Sequence, residues 1–489
     1  MPLAAHQRAR AAMMQLGAQV LNTLAGYVTA VVLARELGPA VFGVYAIVYS
    51  ILLTTEVVGR LGVPNALTKL VAQQDDGRTE VEATGMVTGA AIYALLFVLF
   101  MLASPWLATL LGLPGQGWYF RLAAADIPFY GMYFVINAIL NGRQDFHLSA
   151  LATAIYATCK IGAVLGLLLI GVSVEGAFIA NAIASLIGLS VAVAAARNLH
   201  FGIYRPAFSA LTRLAAPLSL RGVASQLMMG MGLWSLGIAG AAISGEAKGL
   251  YAAANSVARL PVIMSIGVSG IVVASIAAAL GRGDRDAAIA VLAGVGRAML
   301  IVLVPATGLL MVEAGAVMRL LFAERYADGG PLLAVLVLGQ GFSFTFMMIL
   351  TGALIAASRP GLALLCGFFG VAISAIGISA LLPFFGTMGT AIGASTGSLL
   401  SAVAAGLLAW RFIGPWFKLG ELVRISLATL PVLAASFLFE TRDLMLLVEL
   451  TVLGLAQLAL LALFRVLSMS DVNLIIGRAN PVASSATTR

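Results

Sequence analysis

The side chains in this sequence that could do chemistry are few, and the sharpest are cations set inside long apolar stretches: Arg60, Lys160, Arg221, Arg259 and, as a further candidate, Arg297. A charge at the centre of a bilayer is unfavourable by at least about 2.5–3.5 kcal/mol on insertion scales, so such residues face a water-filled interior or a partner. Glu56 stands one helical turn before Arg60, so an internally neutralised pair is the alternative to a ligand role there. Lys160 lies near the middle of its stretch, where snorkelling is difficult; its partner is either a ligand or a buried acid elsewhere. Arg221 and Arg259 have no acid within a turn on their own helices, and Asn255 shares a face with Arg259. Arg221, about two turns from its helix start, either points inward or snorkels to the surface. The planar guanidinium fork suits phosphate oxygens, so an uncompensated set of this kind implies an anionic ligand, phosphate or diphosphate.

A second pattern is polar and uncharged. Gln15, Gln19, Asn22, Gly26 and Thr29 recur at helical spacing on one face of the first apolar stretch. Such a stripe does not face lipid; it lines an aqueous cavity or carries helix-to-helix hydrogen bonds. Arg221, Ser225, Gly232 and Ser235 repeat the stripe at an offset of 206 residues, which favours the cavity. Asp126, Glu175 and Glu313 fall toward the outer ends of their stretches and are expected at solvated rims.

Enzymatic chemistry finds little support. His6, His147 and His200 lie in polar breaks without metal-ligand spacing, and Cys159 and Cys366 sit in apolar runs. Gly393-Ala394-Ser395-Thr396-Gly397 matches a nucleophile-elbow pattern but lacks the strand-to-helix context and the histidine. Gly389, Gly393 and Gly397 read better as a helix-packing face. No Walker or zinc-protease motif occurs, so neither a cofactor nor a metal is expected.

The elements that must position these residues are membrane spans. Of 489 residues, 61% are apolar and 10% charged, against roughly 25% charged in soluble domains. A spanning helix needs about 20 apolar residues, and breaks at charge, Gly or Pro divide the chain into about fourteen such spans, an all-α polytopic membrane protein. No connecting loop exceeds roughly twenty residues, which leaves no room for a soluble domain. The net charge of +8 is scattered between spans rather than clustered on a face, which argues against nucleic acid. Its bias toward alternate connections places both termini in the cytoplasm.

The chain also repeats itself. Gly43-Val44-Tyr45-Ala46 superposes on Gly249-Leu250-Tyr251-Ala252 at the same offset as the polar stripes. An even number of intervening spans makes this a parallel repeat of two six-helix lobes, residues 1–200 and 201–415. Two further helices and a cytoplasmic tail follow in 416–489. Two facing lobes enclose a midplane cavity of the kind alternating-access transporters use.

The run Leu33-Ala34-Arg35-Glu36-Leu37-Gly38-Pro39-Ala40-Val41-Phe42-Gly43-Val44-Tyr45, with Leu61-Gly62-Val63-Pro64 and Leu67-Thr68-Lys69, resembles the first loop of polysaccharide flippases. These form the polysaccharide-transporter family of the multidrug, oligosaccharidyl-lipid and polysaccharide exporter superfamily, and the resemblance covers essentially the whole chain. It implies a bacterial inner-membrane flippase that moves an undecaprenyl-diphosphate-linked oligosaccharide by alternating access. Its partners would be that anionic lipid-linked glycan, membrane lipids and glycan polymerase machinery. The last two helices would form a groove for the lipid tail, by analogy with lipid II flippases. Cation-coupled drug exporters of the superfamily usually carry an acid in the first or seventh helix; none stands there in this chain. A drug or metabolite exporter, a membrane enzyme and a scaffold of glycan assembly are the competing readings.

Overall fold

The computed structural model describes residues 5–60, 62–73, 78–438, 445–464 and 466, with the side chains of 5–12, 16, 216–221, 264, 266, 267 and 271 outside the described set. In chain order the helices are α1 (Ala5–Arg60), α2 (Val63–Gln73), α3 (Arg78–Leu110), α4 (Gly117–Ala124), α5 (Asp126–Gly142), α6 (Phe146–Ile170), α7 (Val174–Ala196) and α8 (Arg205–Ile238). They continue as α9 (Gly245–Ala258), α10 (Val262–Gly281), α11 (Arg285–Val312), α12 (Ala314–Phe322), α13 (Gly330–Leu336), α14 (Phe344–Ala356), α15 (Pro360–Phe412), α16 (Leu419–Ser436) and α17 (Met445–Leu463). No strand occurs among the described residues.

Among the described residues, ten helical runs are long and apolar enough to cross a membrane. The two longest, Met13–Gln73 and Pro360–Phe412, each hold two of the expected spans. Both double back at a glycine: Gly38 at φ 74°, just before Pro39, and Gly386 at φ 56°, three residues after Pro383. A positive φ is accessible to glycine without a Cβ clash, and proline removes a helix donor beside it, so the chain reverses there. The expected spans in α8 and in α9–α10 also fall on helices, the latter broken at Arg259–Pro261.

By contacts the chain divides into two compact units, Met1–Ala252 and Ala253–Arg489. In the first unit α1 packs on α6 and α8, α5 lies against α2, α3 and α7, and α6 pairs with α7. In the second, α14 packs on α10 and α15, and α11 on α10 and α16, which carries α17.

Association of helices in lipid draws on close packing, because lipid tails are as apolar as leucine. The glycine ladder in α15 illustrates this. A Cβ on Gly393 would lie 2.4 Å from the Ile378 nitrogen, and one on Gly397 would lie 2.6 Å from the Gly370 oxygen, so the second half of α15 rests on the backbone of the first. The Ser395 pattern is therefore a packing face; its hydroxyl donates to the Val335 carbonyl.

Arg143, at the end of α5, ties three helices together. Its guanidinium grips Glu82 of α3 in a two-point contact of 2.8 and 2.5 Å and also donates to the Ala196 and Arg197 carbonyls at the end of α7. Glu82 is buried, and with Arg143 gone only the longer 3.9 Å contact to Arg78 one turn before it faces that charge. Arg143→Met is expected to lower stability by about 1.5–3 kcal/mol, the range for hydrogen bonds to charged groups. Arg143→Lys, which keeps the charge and loses the fork, should fall between. Thermal unfolding in detergent reads both, and a lysine variant melting with wild type would show that the fork geometry is irrelevant.

Candidate functional site

The charged residues expected in the first half of the chain converge in the first unit. Glu56 and Arg60 lie in the last turns of α1, Asp126 opens α5, and Lys160 lies within α6. Glu56, Asp126 and Lys160 are 3%, 2% and 7% exposed. Asp126 is thus no solvated rim residue: α4 and α5 run as one span, Gly117–Gly142, which carries Asp126 more than two turns inward from its start. Asn181 of α7 donates to Asp126, and Glu56 and Asp126 are the acids that face Arg60 and Lys160 in this cluster.

Aromatic rings enclose this cluster. Lys160 Nζ lies 3.4 Å from the Tyr49 hydroxyl and 5.6 and 5.9 Å from the Tyr49 and Tyr156 ring centroids. The Arg60 guanidinium lies 4.4 Å from the Phe134 centroid and 5.2 Å from that of Tyr130. Rings of this kind offer a cation a negative face where water is absent. The acids that face Lys160 come from α1 and α5, beyond the reach of any reading of its own helix.

Next to the cluster, at the end of the unit that begins the chain, is a cavity of about 210 Å³. Gln15, Gln19 and Asn22 of the polar stripe line it, as the cavity reading of that stripe requires. Facing them are residues with no expected site role: Asn137 and Asn141 of α5, Ser149 and Thr153 of α6, and Tyr133 and Phe134. Asn137 with Asn141, and Ser149 with Thr153, are four apart in otherwise apolar helices, and that spacing is the signal that could have found them. Thr29, further along the stripe, is buried and donates to the Ala25 carbonyl of its own helix.

The remaining expected residues distribute as follows. Ser225 of α8 is half-buried, and its neighbours Gln226 and Trp234 donate to Thr54 and Ser50 of α1. The Arg221 side chain lies outside the described residues. Asn255 is buried in α9 and Arg259 is half-buried in the break that follows, both in the second unit. Arg297 forms an ion pair with Glu421 at 3.8 Å and donates to the Val466 carbonyl at 2.7 Å, which makes it a tie between α11 and the helices after α15.

Long apolar helices with polar and charged groups held between them define an integral membrane protein with the architecture of a transporter. The fold matches that of the lipid II flippase MurJ in an inward closed conformation, with a TM-score of 0.77 over 92% of this chain and 98% of that one at 15% identity. An inward-facing multidrug resistance transporter of the MATE family, in the MOP superfamily, matches with a TM-score of 0.67 over 82% and 98% at 17% identity. The chain belongs to the polysaccharide biosynthesis protein family, whose model matches residues 9–280. The succinoglycan biosynthesis transport protein ExoT of Rhizobium meliloti (strain 1021) is 27% identical over 326 residues, 64% of this chain and 62% of that protein. The chain therefore matches somewhat less than two thirds of that relative's length.

Proposed function

We propose that this protein translocates an undecaprenyl-diphosphate-linked oligosaccharide across the bacterial cytoplasmic membrane, by alternating access and with both termini in the cytoplasm. The observation that carries the reading is the pairing, in one helical unit, of a buried charged cluster that holds Arg60 and Lys160 with an adjoining uncharged amide and hydroxyl cavity. A lipid-linked glycan has the complementary parts: an anionic diphosphate joined to a polyhydroxylated ring. Membership of a polysaccharide biosynthesis family and the flippase fold support the same substrate class. In this reading Arg221 and Arg259 attract the diphosphate, Arg60 and Lys160 assist them, and Gln15, Gln19, Asn22, Ser225 and Asn255 contact sugar. No covalent bond is made or broken. Binding must stay moderate, since a ligand held too tightly by one conformation traps it. A glycan polymerase is the natural recipient of the product.

The test is leaflet exchange of a fluorescent lipid-diphosphate oligosaccharide in proteoliposomes. Wild type is expected to exceed empty liposomes, and Arg221→Ala with Arg259→Ala to lose at least about ten-fold, as two charge-assisted contacts would. Equal exchange by a folded double variant would remove those arginines from the mechanism, and no wild-type exchange would remove the flippase reading.

A further inference from the structure

The cavity beside the charged cluster has a chemistry more specific than polarity. Among the described residues, no charged side chain lines it. Its buried wall is a chain of hydrogen bonds in which the Gln15 amide donates to the Ser149 hydroxyl at 3.4 Å, and Ser149 donates to the Asn137 carbonyl oxygen at 2.9 Å. The Asn137 amide is held by the Tyr133 carbonyl, while the Tyr133 hydroxyl donates to Thr153 at 3.1 Å. These bonds fix the wall and leave acceptors over. Gln15 Oε1 and Asn141 Oδ1 are buried without a hydrogen-bond partner in the protein. Gln19 and Asn22, on the same face of α1 as Gln15, add further amides, each offering donors and an acceptor.

That combination selects among ligands. An apolar chain would strand the amides, and leaving a buried polar group unpaired is unfavourable. A carboxylate or phosphate only accepts, so it would meet the free carbonyl oxygens without a counter-charge. Sugar hydroxyls donate and accept, which suits both halves of each amide. Tyr133 and Phe134 supply apolar ring faces against which the C–H side of a pyranose can pack. The volume, about 210 Å³, is below the ~300–1,000 Å³ of clefts for drug-sized ligands and fits one ring rather than an oligosaccharide. Phe134 is shared: it forms cavity wall, and the Arg60 guanidinium lies 4.4 Å from its centroid. The cavity is therefore one aromatic ring away from the charged cluster.

We propose that this cavity is a binding site for a single uncharged sugar, the one joined directly to the diphosphate. The identification of that sugar as part of a lipid-linked glycan rests on the flippase reading; the site itself does not. The protein would then discriminate lipid-linked glycans by their first residue and accept variation further along.

The test uses purified full-length protein in nanodiscs and measures affinity for undecaprenyl diphosphate that is bare or carries one glucose, galactose, N-acetylglucosamine or glucuronate. At least one neutral glycosyl form is expected to bind about ten-fold or more tighter than the bare lipid, as one or two added hydrogen bonds would give, and the glucuronyl form should gain nothing. In Gln19→Ala with Asn22→Ala, and separately in Asn141→Leu, that ratio should fall toward one while the thermal melt stays sharp. A ratio near one in wild type, a preference for glucuronate, or a ratio unchanged in both variants would overturn the site. Leaflet exchange measured on the same preparations separates the two proposals: sugar-dependent binding without exchange supports the site and sinks the flippase reading. Exchange without sugar-dependent binding does the reverse.

Discussion

Removing both acids of the buried cluster, in Glu56→Gln with Asp126→Asn, is expected to destabilise the first unit by about 3–5 kcal/mol, the range measured when buried ion pairs lose one side. The reason is geometric. Arg60 and Lys160 lie within helices of a membrane span, and their side chains end among Tyr49, Tyr130, Phe134 and Tyr156. The carboxyl pair is the negative charge that faces them. Aromatic faces recover about 0.5–2 kcal/mol of cation attraction each, short of replacing a carboxylate. Adding Lys160→Met to the double variant should therefore restore part of the loss, because it removes a stranded cation and keeps a side chain of similar length. Lys160→Met alone should be milder than the double variant, since Arg60 still has its carboxylate. Unfolding midpoints in detergent distinguish these cases. A triple variant no more stable than the double one would mean the four groups are not coupled, and a double variant melting with wild type would mean that the cluster contributes nothing to the fold.

How far these features could be read from sequence depends on whether they live on one helix or between several. Apolarity sets span positions, so the helices fall where the spans were expected, and the reversals at Gly38-Pro39 and near Pro383 are marked by the residues that make them. The Gln15, Gln19 and Asn22 stripe was legible because a helical period resides in a single segment. The opposite wall of the cavity was not, because Asn137 and Ser149 meet that stripe only after α5 and α6 dock. Asp126 was misplaced for a related reason. Toward the outer end of its expected span it reads as a solvated rim residue, whereas it is buried and α7 covers it with Asn181. Arg60 kept the neighbour its own helix supplied, Glu56, while the acids facing Lys160 come from α1 and α5, and no spacing rule connects those.

A disulfide between Ala40→Cys and Gly245→Cys, in a background with Cys159 and Cys366 replaced by alanine, is expected to form readily and to stop leaflet exchange until it is reduced. The repeat motifs explain the choice of site. Gly43 and Gly249, equivalent under the 206-residue offset, meet within the first unit: a Cβ on Gly43 would lie 2.9 Å from the Gly249 nitrogen, and one on Gly249 would lie 1.8 Å from the Pro39 oxygen. The bend of α1 and the start of α9 therefore touch backbone to backbone, at the opposite end of the unit from the sugar cavity. A Cβ on Gly245 would stand 3.4 Å from that of Ala40, near the 3.5–4.5 Å a disulfide spans. If transport alternates access, this contact must part once per cycle to release substrate, and a covalent bond across it holds one state permanently. Gly249→Leu tests the same contact by the opposite means. Its side chain cannot coexist with the Pro39 carbonyl, and overpacking of this kind is unfavourable by about 1–3 kcal/mol or more. The cysteine pair should then cross-link several-fold less in that background while helix content by circular dichroism is unchanged. Oxidised protein that exchanges lipid at the wild-type rate would mean the α1–α9 contact stays shut throughout transport, and the opening would have to be sought elsewhere in the fold.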